Sequence, residues 1–309
     1  MIAIGVDLGG TNVRIAQVDL SAGRLLDERR AIIGSRDPVA VAELLAALVG
    51  EVRSKPDVPI GVGIAGMLRG WSGVVALAPN LGWREVDFRA LLRDRLGAKV
   101  ELYNDLNAIA FGETSFGAAR GVRDVLCIFI GTGIGAGLVA DGKLYIGASH
   151  LAGEFGHMKV VRGGRRCGCG ACGCIEAYAS GANLATRARQ ELGAGQTSSA
   201  LELAGSLDRL HAGHLDQAAQ EGDPYAVHLW AEVAPLLGLS LANAVTLLNP
   251  ARVVLGGTVW EGAPRLRELA VEAYLDTVNE PSSEAATLVD TVLGDAAGVI
   301  GAAALVAAQ

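Results

Sequence analysis

Basic runs are missing from this chain: no stretch of lysine and arginine is longer than two residues, and 26 basic against 33 acidic side chains leave a net charge of −7. A nucleic-acid partner normally demands a basic stripe, so none is expected. No leader is expected either, because Met1-Ile-Ala-Ile-Gly-Val enters a strand-like run without a basic region or a small-residue cleavage site. The apolar run Val299 to Ala308 falls short of the roughly 20 residues that span a bilayer and reads as a buried helix. No membrane partner is therefore expected, and the expected location is cytoplasmic. Also absent is G-x-x-x-x-G-K-[ST], which removes the Walker-type NTPases. What remains is globular in composition, with 51% hydrophobic and 19% charged residues, and 309 residues suffice for one large or two ordinary domains.

The pattern along the chain is α/β. Residues 2–33 read as a three-strand meander: Ile2 to Val6, the glycine turn Asp7-Leu-Gly-Gly-Thr-Asn12, Val13 to Val18, the turn Ser21-Ala-Gly23 and a third strand. Val41, Leu44, Leu45, Leu48 and Val52 have helical spacing behind the cap-and-N1 pair Asp37-Pro38. Strands follow at Pro59 to Ala65, Val74 to Leu77 and Lys99 to Tyr103, with helices at Phe88 to Leu96 and Leu106 to Phe116. The plan restarts after Gly117 to Arg123: strand Asp124 to Ile130, glycine turn Gly131 to Gly137, strand Leu138 to Ala140, Asp-Gly turn, strand Lys143 to Ile146. Ala182 to Leu192 reads as a helix, Gly193 to Ser199 as a loop, and helices run on to Leu248, in one of which Pro235 predicts a kink or break. After Asn249-Pro250 come a strand, Arg252 to Leu255, the turn Gly256-Gly257-Thr258 and a helix from Pro264 to Val278. The expected division is an N-terminal α/β domain, 1–117, joined by the last helical segment, 297–309, and a larger α/β domain, 118–296.

Four of the five cysteines crowd into one string, Cys167, Cys169, Cys172 and Cys174, with His157 ten residues ahead and the carboxylates Glu154 and Glu176 on either flank. Closely spaced cysteines with a histidine suit tetrahedral zinc, the other readings being unrelated buried thiols or a disulfide knot, which needs an oxidising compartment. One ring nitrogen of His157 would face the metal while the other donates to a substrate oxygen. Asp7-Leu-Gly-Gly-Thr-Asn-Val-Arg14 sets an acid at a strand end before glycines whose amides can cradle phosphate, with Asp7 placed to hold Mg²⁺ directly or through water; an ordinary hairpin is the plain reading. Gly131-Thr-Gly-Ile-Gly-Ala136 fits a dinucleotide pattern formally, but the hairpin that follows excludes it, because that motif needs a helix next. Asp105, where a strand meets a helix, has two readings: a helix cap, or a base accepting a proton from an attacking hydroxyl. Asn80, Asn104, Glu154 and Glu176 are polar groups in small or apolar surroundings, suited to a polyol, although each alone also reads as a turn or surface residue.

Asp7-Leu-Gly-Gly-Thr, Glu154-Phe-Gly-His157 and Cys167-Gly-Cys-Gly-x-x-Gly-Cys174-x-Glu176 together resemble the bacterial ROK family of sugar kinases and sugar-responsive repressors, its glucokinases most of all. The resemblance runs from about Ile2 to about Ala304. It implies the actin-like ATPase, hexokinase-type fold, two ribonuclease-H-like domains with an interdomain cleft, and ATP-dependent phosphorylation of a hexose, glucose at its 6-hydroxyl first, with a place in glycolysis. By position it implies Asp105 as catalytic base; Gly66, Asn80, Asn104, Asp105, Glu154, His157 and Glu176 around the sugar; and His157, Cys167, Cys169 and Cys174 on a structural zinc. Asp7, Gly9, Gly10, Thr11, Asn12, Gly131, Thr132, Gly133, Gly256 and Gly257 would serve ATP and Mg²⁺. N-acetylglucosamine, N-acetylmannosamine, mannose and fructose stay open as substrates. A repressor would need a DNA-binding module ahead of Ile2, for which no room is expected; a homodimer or homotetramer is implied. Two positions depart from the family: Cys172 stands at a variable position of the string, leaving a ligand swap with Cys169 or Cys174 open, and Ala65 stands where many members carry proline.

Overall fold

The computed structural model describes residues 1–308; Gln309, within the expected last segment, lies outside the described residues. The strands are β1 Ile2–Leu8, β2 Asn12–Asp19, β3 Arg24–Ile32, β4 Ile60–Ile64, β5 Met67–Leu68, β6 Val74–Ala78, β7 Trp83–Asp87, β8 Val100–Asn104, β9 Val125–Ile130, β10 Ile134–Ala140, β11 Lys143–Tyr145, β12 Arg252–Gly256 and β13 Thr287–Asp290. The helices are α1 Pro38–Val52, α2 Phe88–Leu96, α3 Asp105–Phe116, α4 Glu176–Ala179, α5 Gly181–Gly193, α6 Ser199–Ala204, α7 Ala212–Gln220, α8 Pro224–Leu248, α9 Thr258–Gly262, α10 Pro264–Thr277, α11 Glu280–Ala285 and α12 Ala297–Ala307. Two five-stranded sheets repeat one order, β3-β2-β1-β4-β8 and β11-β10-β9-β12-β13, and a small sheet has the order β5-β6-β7. The described chain forms two compact units, residues 1–127, 137–153 and 291–308 in the first and residues 128–136 and 154–290 in the second.

In the first unit the side-chain alternation of β1 decides the layers. Ile4, Val6 and Leu8 point with Ile60, Val62 and Ile64 of β4 into a core completed by Val41, Leu45 and Val49 of α1 and Phe88 and Leu92 of α2. On the opposite face β1 carries only Ala3, Gly5 and Asp7, and β4 carries Gly61 and Gly63. Small residues there let α12 settle on the sheet: a Cβ on Gly5 would lie 1.7 Å from the Val299 carbonyl oxygen, and one on Gly61 would lie 1.9 Å from that of Ala302. Gly301 of α12 meets α3 in the same way, its virtual Cβ 1.7 Å from the Ala108 oxygen. Ten of the eleven α12 residues are buried. The N-termini of α1 and α3 are closed by Asp37, which accepts from the Ala40 amide at 3.0 Å, and by Asn104, which accepts from the Asn107 amide at 3.1 Å.

In the second unit α8 and α10 pack along each other. The buried Asp216 of α7 accepts from Trp230 Nε1 at 2.9 Å and from the Arg265 and Leu266 amides at 3.1 and 2.9 Å, so it satisfies the exposed donors at the start of α10. By length and composition α8 could cross a membrane, yet half of its most apolar window is buried inside the protein, as befits a core helix.

Two local expectations change. Of the kink or break expected at Pro235, the break does not occur: helix α8 runs over 25 residues through it. Its twelve buried side chains offset the roughly 3 kcal/mol that an interior proline costs. The glycine turn expected over residues 131–137 is shorter, because Ile134 already begins β10, leaving Gly131-Thr132-Gly133 as the turn.

The α12 packing predicts that Gly301→Ala lowers unfolding stability by about 1–3 kcal/mol through overpacking, whereas Gly50→Ala, which meets open space on α1, leaves it level or raises it by up to ~1 kcal/mol. Urea midpoints measure this, and equal midpoints for the two variants would refute the close approach.

Candidate active site and metal centre

Residues 158–174 contain no helix or strand, only the isolated bridges Lys159↔Cys174 and Arg166↔Cys172. Within and beside this loop His157, Cys167, Cys169 and Cys174 bring one ligand atom each to within 4.8 Å of one another. Cys169 Sγ lies 3.7 Å from Cys174 Sγ, and Cys167 Sγ lies 3.7 Å from His157 Nδ1. The edge of a tetrahedron with thiolates about 2.3 Å from its centre is about 3.8 Å, so the donor set fits a zinc ion in size and chemistry. With no cation, burial pushes the Cys167 thiol up to about 12; a divalent ion reverses that and leaves the thiolate. The described cysteines are all free thiols, which removes the disulfide-knot reading. Cys172 is exposed and outside the quartet.

The same loop fixes three polar side chains. His157 turns Nδ1 to the thiols and Nε2 to Glu154, 3.6 Å away. Burial raises the Glu154 carboxyl above the usual range, with His157 opposing and Glu176 adding to the rise. Glu176, opening α4, accepts from the Ile134 amide at 3.0 Å and receives the Cys167 thiol at 3.7 Å. It thus joins the cysteine string to the turn Gly131–Gly133. That turn is closed by Gly131 N–H to Gly133 O at 2.9 Å and anchored by the Gly181 amide on Gly131 O at 2.8 Å. Gly257 adjoins it with φ of 98°, and a Cβ there would lie 2.6 Å from the Ile130 oxygen, so this position demands glycine.

The first unit holds the other predicted residues. Asn104 is the N-cap of α3 and Asp105 its first residue, accepting from the Leu106 amide at 3.0 Å; the cap reading of Asp105 is therefore corrected in favour of Asn104. The Asn104 amide donates to the Gly66 carbonyl at 3.2 Å, bringing the β4–β5 loop to the start of α3. Gly10 abuts Asn80, since a Cβ on it would stand 2.6 Å from that of Asn80; the turn Gly9-Gly10-Thr11-Asn12 and Asn80 are neighbours. Asp7 lies on the face of β1 that meets α12, against Gly298, and opposite Arg14 in the β1–β2 ladder. Burial pushes its carboxyl up to about 6 while Arg14 pulls it down. Arg14 is itself held by Glu28 through two 2.9 Å hydrogen bonds. Sequence reading missed this use of Arg14, although strand parity placed it beside Asp7. It also missed Lys159, whose ammonium lies 2.7 Å from Cys174 Sγ.

The model of the ROK family matches residues 3–309. The chain belongs to the ROK family. It is 34% identical over 309 residues to the glucokinase of Streptomyces coelicolor, covering 98% of this chain and 97% of that protein. The ROK glucokinase of Streptomyces griseus, solved in complex with glucose and AMPPNP, superposes with a TM-score of 0.83 at 34% identity over the whole of both chains. Another ROK relative is the xylose repressor of Caldicellulosiruptor bescii, 31% identical over 285 residues, 90% of this chain and 70% of the repressor. The fold is accordingly the actin-like, hexokinase-type α/β fold of ROK proteins.

Two outcomes follow from the ROK site geometry. Metal analysis should find about one zinc per chain in wild type and Cys172→Ser and far less in Cys174→Ser; zinc lost from Cys172→Ser would overturn the ligand set. For Asp7 the folded value of about 6 lies above the ordinary 3.8, so ionised Asp7 costs stability once pH passes about 4, and the cost is complete above about 6. Asp7→Asn should therefore stabilise the nucleotide-free protein by about 1–3 kcal/mol at pH 8 and not at pH 4. A gain independent of pH in thermal melts would show that burial does not set this carboxyl.

Proposed function

We propose that the chain is an ATP-dependent hexose kinase, glucose plus ATP giving glucose 6-phosphate plus ADP. The observation that supports this most is Asp105 at the first position of α3, where Asn104 does the capping. In this reading Asp105 accepts the proton of the sugar hydroxyl as its oxygen attacks the γ-phosphorus. Asn80, Asn104, Glu154, His157 and Glu176 hydrogen-bond the sugar hydroxyls, with Gly66 keeping its loop against Asn104. His157 donates through Nε2, because Nδ1 faces the thiols. Amides of the glycine turns at Gly9 to Asn12, Gly131 to Gly133 and Gly256-Gly257 hold the nucleotide and its developing charge. Mg²⁺, when bound, neutralises phosphate charge, and Asp7 is the carboxylate suited to holding it. Zinc braces the sugar-binding wall and takes no part in phosphoryl transfer.

The full-length likeness to a glucokinase crystallised with glucose and AMPPNP supports glucose and ATP as the pair. We further propose a cytoplasmic homodimer or homotetramer without a nucleic-acid partner, in an N-terminal domain of 1–117 with 297–309 and a domain of 118–296. The xylose-repressor relative favours a second reading, a sugar-responsive regulator. A gel shift with operator-like DNA, abolished by sugar, would favour that reading.

A coupled ADP-release assay across glucose, mannose, fructose, N-acetylglucosamine and N-acetylmannosamine should show the greatest kcat/KM with glucose. Asp105→Asn should lose about 10²- to 10⁴-fold in kcat while calorimetry still detects sugar binding. Near-normal turnover in that variant would refute Asp105 as the base.

A further inference from the structure

We propose that Lys159 is the charge partner of the zinc centre, its ammonium donating to the Cys174 thiolate and so balancing the net negative charge of a three-cysteine, one-histidine site. The inference rests on the zinc reading of the quartet and goes beyond it. Three thiolates and a neutral imidazole around a divalent ion carry one net negative charge, and one ammonium cancels it.

The geometry is specific. Lys159 Nζ lies 2.7 Å from Cys174 Sγ and 3.2 Å from the backbone oxygen of His157, so one side chain touches two of the four ligand residues. The backbone enforces this pairing. Lys159 and Cys174 face each other in an isolated antiparallel bridge, flanked by Val160 N–H to Gly173 O at 2.8 Å and Ile175 N–H to Met158 O at 3.0 Å. The bridge depends on Gly173, whose φ is 82° and whose virtual Cβ would lie 1.8 Å from the Val161 oxygen, so the segment carrying Cys174 can approach closely only with glycine there. Arg165, two residues ahead of the string, is engaged elsewhere, 3.5 Å from Glu191 and 4.0 Å from Glu232.

An N–H···S hydrogen bond from a cation withdraws charge from sulfur, which lowers the nucleophilicity of a metal-bound thiolate and its competition with protons for the lone pair. Lys159 is thus a positioning residue acting through Cys174, and its loss should be read at that sulfur and not first in turnover.

The test uses the zinc-loaded full chain, alkylated with iodoacetamide and mapped by mass spectrometry. Wild-type protein without zinc on metal analysis would sink the zinc reading itself, before Lys159 is at issue. With zinc present, Lys159→Met should raise the alkylation rate of Cys174 about tenfold and hasten zinc transfer to a chelator by a similar factor, and Lys159→Arg should restore both. Lys159→Gln keeps a neutral donor and decides the matter if the methionine variant does not retain zinc: behaviour unlike wild type supports a charge role. A Gln variant with wild-type rates, or a Met variant with an unchanged Cys174 rate, overturns it.

Discussion

Four donor atoms that lie within 4.8 Å of one another constrain everything around them. Three thiols and an imidazole at that separation are stable together only around a shared cation or with most of their protons retained. The loop over residues 158–174 has no sheet or helix of its own to hold it, so the quartet is its principal organiser. Glu154, His157 and Glu176 sit at its two ends. Their orientation is inherited from the ligands: His157 presents Nε2 because Nδ1 is committed to the thiols, and Glu176 is oriented by the Ile134 amide and the Cys167 thiol together. Under the proposed function, a metal with no chemical step of its own would decide which hydroxyl pattern these three side chains accept.

In the first unit strand parity does the corresponding work. One face of β1 is aliphatic and the other is alanine, glycine and aspartate, so Asp7, one residue before the strand ends, is delivered half-buried to the face on which a helix of small residues packs. Its raised pKa is a direct result of that packing. An ionised carboxyl at that position is electrostatically unfavourable, and Arg14 moderates the cost without cancelling it.

Much of this was legible in the residues. The Asp37-Pro38 start, the hydrophobic spacing of α1, the apolar run of α12 and the cysteine string each have a local cause, and local causes survive folding. The two-residue β5 and the β7 strand behind Leu81-Gly82 did not show, because so short a hairpin carries no periodicity and exists only through its partner β6. The Asp105 cap reading gave way because two adjacent residues both qualify as caps and only the backbone turn decides between them. Nothing local marks Asp216, since its role depends on the start of α10, roughly fifty positions later. Lys159 was hidden for a similar reason: nothing in Lys-Val-Val reveals a cysteine across a bridge.

The seating of α12 on Gly5 and Gly61 sets an order of events during synthesis. Strands β1 and β4 leave the ribosome early, yet the helix that covers their glycine face is translated after the whole of the second unit. Until then that face is an open furrow lined by small side chains and backbone, with Asp7 in contact with water. The first unit can collapse around α1 and α2 while its other half waits, and a chaperone or a misplaced neighbouring helix would find its best opportunity in that interval.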